Sequence, residues 1–415
     1  MNKERLVANY LLKGKIYSMS KLRGSVILVL LAGFIFFFFV FGLPYFLKAN
    51  YRASLTTNSN DLATSTIPRV IPVTHLKTPE PLKALYMTAC VAGTPSWRTS
   101  LKKLIETTEL NAVVIDIKDY TGVVSFQNNF PQMSVERGCV VSDMREFVAE
   151  LHKADIYVIG RISVFQDPSY TKLFPELAVK KKSDGTVWKD YKGLSFIDVG
   201  AKPYWDYILE LSKTSYEMGF DEINYDYVRY PSDGNMQDTH YTWTIGPAST
   251  SSPQATKAEM LKSFFEYLHD EMDETDAKLS VDLFGMTTTV VVDMNIGQIL
   301  ENALPYFDYI SPMVYPSHYP KTWNGFANPA DHPYEIIKIS MSGALEREEA
   351  WRLSEGLATT TASKMRPWLQ DFNLGATYGP DKVRAQIQAT YDVGLTSWML
   401  WNAGNKYTKD ALLSE

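Results

Sequence analysis

Apolar and polar positions change rhythm three times along the chain. Gly24–Leu47 carries no charged residue and is mostly Val, Ile, Leu and Phe. A membrane-spanning helix needs roughly 20 such residues. Lys3, Arg5, Lys13, Lys15, Lys21 and Arg23 precede it against one acid, Glu4, and only Lys48 and Arg52 follow before Asp61. The positive-inside rule then makes residues 1–23 a cytoplasmic tail and puts the rest of the chain outside. A cleaved signal peptide would carry a shorter apolar region, about 7–15 residues. A buried soluble helix would need a polar face, and Phe34, Phe36–Phe39 and Phe41 leave none. The pattern predicts an uncleaved signal-anchor helix over 24–47. Residues 48–80 turn rich in Thr, Ser, Asn and Pro with little periodicity, which predicts a flexible tether.

From residue 81 onward, short β-rich runs alternate with helical stretches. The runs are 83–91, 112–120, 156–165, 220–230, 278–285, 309–315, 365–372 and 395–401. Helical patterns follow near 97–108, 142–154, 204–218, 256–273, 296–304, 333–361 and 381–391. Such alternation implies parallel strands joined by right-handed crossovers. Eight units over 81–415 predict an α/β fold of the (β/α)₈ TIM-barrel type, preceded by one N-terminal transmembrane helix. An open doubly wound sheet would begin on a glycine-rich phosphate turn, which is absent. Stretches 166–202 and 231–253 are insertions after the third and fourth strands, on the rim where barrel sites are built.

Alternation within each strand selects the inward residues. The second strand stacks Ala112, Val114, Asp116 and Lys118 on one face, and the fourth puts Asn224, Asp226 and Val228 together. Tyr225 and Tyr227 should then face the helices. The fifth groups Ser280, Asp282 and Phe284; the seventh ends at Gln370–Asp371; the third carries Arg161 near its end. Acids from four strands thus converge on one rim, where a buried carboxylate is costly unless paired or catalytic.

Composition narrows the chemistry. Lys and Arg total 41 and Asp and Glu 47, so the net charge is 41 − 47 = −6, which argues against a protein that grips nucleic-acid phosphates. Two cysteines exclude a disulfide scaffold or a cysteine cage for metal. Cys90 ends the first strand and Cys139 follows the second, on adjacent rims outside the membrane, and they are predicted to form a disulfide. The six histidines show no metal-ligand spacing, and no HExxH, GxSxG, Walker or GxGxxG pattern appears. No cofactor or metal is expected.

Paired carboxylates on a barrel rim suit glycoside hydrolysis, in which one protonates the leaving oxygen and the other attacks or activates water. Asp226 is the expected nucleophile or base and Asp282 the general acid. Asp371 or Asp116 would hold hydroxyls and stabilise oxocarbenium charge. Lys118 and Arg161 would neutralise the acids or bind an anionic sugar group. Tyr86, Tyr315 and Trp401 offer flat faces to a sugar, and Asn224, Arg229 and Gln370 complete the expected substrate contacts. The alternative is a non-catalytic polysaccharide- or partner-binding barrel at the cell surface. A metal-dependent hydrolase would need a His/Asp cluster that the spacing does not show.

The stretches NAVVIDIKDYTG, GRISVF, GFDEINYDYVRYPSDG, YISPMVYPSHY, RPWLQDF and GLTSWMLWNAG together resemble a bacterial family of glycosyl-hydrolase-like domains of unknown function. The resemblance spans roughly residues 82–405. It implies a (β/α)₈ barrel tethered outside the membrane and glycoside hydrolysis as the reaction class, without naming a substrate. A looser similarity is to the α-amylase superfamily, in which Asp226 matches the nucleophile, Asp282 stands where a glutamate acid is usual, and Asp371 matches the third acid. Asn224 replaces that superfamily's usual arginine.

Overall fold

A computed structural model describes residues 72–127, 138–245, 256–358 and 362–414. The expected cytoplasmic tail, the anchor at 24–47 and most of the tether lie outside the described residues. Among those described, no helix is long and apolar enough to cross a membrane.

Eight parallel strands close into a barrel. They are β1 (Lys83–Met87), β2 (Ala112–Lys118), β3 (Tyr157–Ser163), β4 (Glu222–Asp226), β5 (Lys278–Phe284), β6 (Tyr309–Met313), β7 (Trp368–Gln370) and β8 (Trp398–Trp401). Each strand lies beside its neighbours in sequence, and β8 closes the ring on β1, with Ala84 opposite Met399. Helices α1 (Pro95–Glu106), α2 (Met144–His152), α3 (Lys202–Met218), α4 (Lys257–Met272), α5 (Leu300–Ala303), α6 (Pro333–Ser354) and α7 (Pro380–Asp392) fill the crossovers. The predicted (β/α)₈ architecture is therefore present.

Local chemistry sets the boundaries. The first strand stops at Met87 because the Thr88 hydroxyl accepts from Val91 N and starts a short helix over Ala89–Ala92. Helix α4 opens on a reciprocal capping box between Thr256 and Glu259. Helix α3 ends at Gly219, whose φ of 118° a side chain would resist. Every position of β2 and β3 is buried, as expected of strands covered on both faces. Inward residues Ala84, Ala112, Val114, Tyr157, Ile159, Trp368 and Met399 form the barrel interior. Outward residues such as Leu85, Val113, Ile115 and Val158 join the helix layer.

Two features bear on the site. The insertions after β3 and β4 are tied together by a two-stranded ribbon pairing Lys180–Lys181 with Thr239–His240. The buried Asp198 clamps them again, accepting from Trp243 N at 2.7 Å and from the Thr244 hydroxyl at 2.5 Å. Cys90 and Cys139 are disulfide-bonded, with Cα atoms 4.8 Å apart, which fastens the loop after β2 to the end of β1.

The tether expected over 48–80 needs correction at its end. Residues 72–80 lie across the N-terminal mouth of the barrel. Leu76 N donates to the Asp221 carboxylate at 2.6 Å, Thr78 Oγ1 lies 3.0 Å from the Tyr157 hydroxyl, and His75 stacks on Tyr216 at 4.0 Å. Leu76 also packs on the interior cluster. A chain starting at residue 81 loses both hydrogen bonds, each worth about 1 kcal/mol. Its urea unfolding free energy should fall by at least about 2 kcal/mol relative to a chain starting at residue 72. Equal midpoints would show that the strap is passive.

Candidate active site

The C-terminal mouth of the barrel holds a cavity of about 440 Å³. Arg161, Asp226, Tyr227, Arg229, Phe284 and Met286 line it, with Met313, Tyr315, His318 and Trp401.

At its floor the Arg161 guanidinium lies between two carboxylates. It donates to Asp116 Oδ1 at 2.6 Å from one amino group, and to Asp226 Oδ2 at 3.1 Å from Nε and 2.5 Å from the other amino group. The second oxygen of Asp116 accepts from the Tyr86 hydroxyl at 2.5 Å. Tyr86 stacks on Trp401 at 4.0 Å, and the guanidinium carbon sits 5.1 Å from the Trp401 ring. Burial pushes the Asp116 carboxyl up to about 6, against the pull of Arg161.

Asp282 lies behind this group and is 1% exposed. Its Oδ1 accepts from Asn224 Nδ2 at 2.9 Å and from Trp368 Nε1 at 2.8 Å. Burial first, and then the charge of Asp226, raise its pKa to about 8. Asp282 is therefore biased toward its protonated form, while Asp226 is held in an ion pair with Arg161. Two acids with different surroundings form the arrangement that lets one give a proton and the other act as a base or nucleophile.

The structure brings Asp226, Asp282, Asp116, Arg161, Asn224, Tyr86, Tyr315 and Trp401 together. Within that group Tyr86, Asp116, Asn224 and Asp282 lie behind the cavity wall; Tyr86 and Asp116 position Arg161, and Asn224 holds Asp282. Arg229 also reaches the cavity.

Four expected placements differ. Lys118 does not join the cavity. A register shift between Asp116 and Lys118 turns its side chain away, and it pairs with the buried Asp167 at 3.0 Å. Asp371 does not line the cavity either. Strand β7 ends at Gln370, so Asp371 faces the next loop, where it accepts from Thr408 N at 2.8 Å and the Thr408 hydroxyl at 2.6 Å. That makes it a loop anchor. Gln370 is fully buried and accepts from Ser317 N at 3.1 Å, holding the loop after β6.

Tyr227 was expected to face the helices, and Tyr225 does, donating to Ser212 of α3. Tyr227 instead lines the cavity, because the strand stops at Asp226 and Tyr227 adopts φ 53°. Its N–H donates to Asp226 Oδ1 at 2.6 Å. Alternation had no signal for that turn. Met286 and Tyr319 reach the cavity from loops, where no periodicity operates. Among the described residues, no group of three His, Cys, Asp or Glu could hold a metal ion.

An eight-stranded parallel barrel with a buried acid cluster and aromatic walls at its C-terminal mouth has its candidate site where TIM-barrel active sites are built. The chain belongs to the family described as "Putative glycosyl hydrolase domain", whose model matches residues 84–407. No curated protein sequence matches it. Among solved structures, the glycoside hydrolase domain of PgaB (BpsB) from Bordetella bronchiseptica shares the fold. It has 13% identity and a TM-score of 0.56, with 78% of this chain and 95% of that one covered. A hypothetical protein from Ruminiclostridium thermocellum matches at 29% identity and a TM-score of 0.41, over 48% of this chain and 96% of that one.

Removing Arg161 leaves two buried carboxylates uncompensated. Arg161→Leu should destabilise the fold by about 3–5 kcal/mol in urea unfolding at neutral pH. A loss under about 1 kcal/mol would mean that water already reaches both acids.

Proposed function

We propose that this barrel hydrolyses glycosidic bonds of a cell-wall or extracellular polysaccharide while anchored in the cell membrane. The observation that carries the reading is the Asp226–Asp282 pair, whose members differ in surroundings within one site. Asp226, fixed by Arg161 and by Tyr227 N–H, attacks the anomeric carbon or activates water. Asp282 gives its proton to the leaving oxygen. Asp116 acts through Arg161 as a positioning residue. Trp401 and Tyr315 offer ring faces to the sugar. Membership of the family described as "Putative glycosyl hydrolase domain" supports the reaction class.

The charge bias around residues 24–47 supports an N-terminus in the cytoplasm and a barrel outside it. The Cys90–Cys139 disulfide supports the same side, since such bonds persist in oxidising compartments. A second reading has one observation in its favour. Asp282 is 1% exposed and bonded only within the barrel, as a structural acid would be. The protein would then bind a polysaccharide without cutting it.

The test is reducing-end release from purified cell-wall and extracellular polysaccharides by wild type beside Asp226→Asn. Release by wild type, with a loss of at least about 10³-fold in the variant, is the expected result. Retention of one polymer by both proteins without release would favour the binding module.

Asp282 must carry its proton to act as the acid. Its pKa stands above the usual carboxylate range, so the proton is present at neutral pH and leaves as pH rises through about 8. The value of kcat/KM should therefore fall on the alkaline side of about 8. A rate that stays flat for two further pH units, to about 10, would remove Asp282 from the acid role.

A further inference from the structure

The cations around the cavity are not equivalent. Arg161 is neutralised by Asp116 and Asp226, and Lys118 by Asp167. His318 is driven toward its neutral form by burial. Arg229 differs from all three. Its guanidinium lines the cavity, and among the described residues no carboxylate forms an ion pair with it. Its one bonded amino group donates to the Tyr230 carbonyl at 3.0 Å and to the Ser232 hydroxyl at 3.2 Å. Asp226, Asp190 and Asp233 act on it only at longer range.

Its position is also fixed. The guanidinium carbon sits 4.9 Å from the Phe284 ring, 5.2 Å from Tyr227 and 5.7 Å from Phe196. Tyr230 N, one residue on, donates to the Ile296 carbonyl and ties down the loop. A planar guanidinium held among rings presents a rigid set of donors matched to a carboxylate or phosphate. A partly buried charge without a counter-ion is costly, and an anion arriving with the ligand offsets that cost.

We infer that Arg229 forms an anion-binding subsite, and that the sugar bound in this cavity carries a carboxylate or phosphate group. The inference rests on the reading of the cavity as a sugar site, but it does not need turnover. Phe284 and Tyr227 hold the guanidinium plane. The anionic group supplies the charge that Asp116 and Asp226 already supply to Arg161. A neutral sugar leaves Arg229 unpaired and binds more weakly.

Saturation-transfer NMR and titration on the full chain in detergent test this, with three probes. They are methyl glucuronoside, glucose 6-phosphate and neutral methyl glucoside. At least one anionic probe should bind tenfold or more tighter than the glucoside, and Arg229→Gln should erase that preference. Arg229→Lys, which keeps the charge and loses the fork, should retain part of it. A preference for the glucuronoside alone assigns a carboxylate, and one for the phosphate alone assigns a phosphate. Equal binding of all three to wild type overturns the inference, as does a preference that survives in Arg229→Gln. If no probe binds at all, the sugar reading falls and the inference falls with it. Anion-selective binding without cleavage of any polymer would leave the inference standing and contradict only the hydrolase reading.

Discussion

The Arg161 guanidinium, shared between Asp116 and Asp226, is the constraint around which the mouth of this barrel is built. Three ionised groups sit within a ring of strands that is otherwise packed with apolar and aromatic side chains. Each would be unstable there alone. Arg161 comes from β3, Asp116 from β2 and Asp226 from β4, so the cluster bonds three consecutive staves across the interior. Tyr86 from β1 and Trp401 from β8 continue the contact around the ring. Charge pairing and ring closure are thus one arrangement seen twice.

The same arrangement separates the two acids. Asp226 has a cation at hydrogen-bonding distance. Asp282 has only the neutral donors Asn224 and Trp368, and feels the charge of Asp226 through a buried medium. Desolvation therefore decides against ionising Asp282. Sequence places the two acids on the adjacent strands β4 and β5, packing sets their environment, and environment sets which one holds a proton. The rim insertions, clamped by Asp198 and the two-stranded ribbon, position Phe196 beside Arg229 and give the cavity its outer wall.

Much of this was legible in the sequence. The eight strands declared themselves because parallel strands buried on both faces read as short apolar runs, and Asp116, Asp226 and Asp282 fell on the inward face by simple alternation. Alternation fails where the strand does. Lys118 lies past an irregularity in β2, so its expected face inverted. Asp371 lies one residue beyond a three-residue strand and turned to Thr408. Tyr227 entered the cavity through a positive φ that its residue type does not announce. Met286, His318 and Tyr319 reach it from loops whose path depends on distant contacts. Residues 72–80 look like tether by composition, yet Leu76 and Thr78 find partners only once the barrel mouth exists.

The central claim is that one site holds a protonated and an ion-paired carboxylate side by side. Carbon-detected carboxyl NMR titration of Asp282, in wild type and in Asp226→Asn, tests it most directly. The account predicts that Asp282 titrates well above the usual carboxylate range in wild type and shifts downward when the Asp226 charge is removed. A wild-type Asp282 that titrates as an ordinary exposed carboxylate, unchanged in Asp226→Asn, would contradict it.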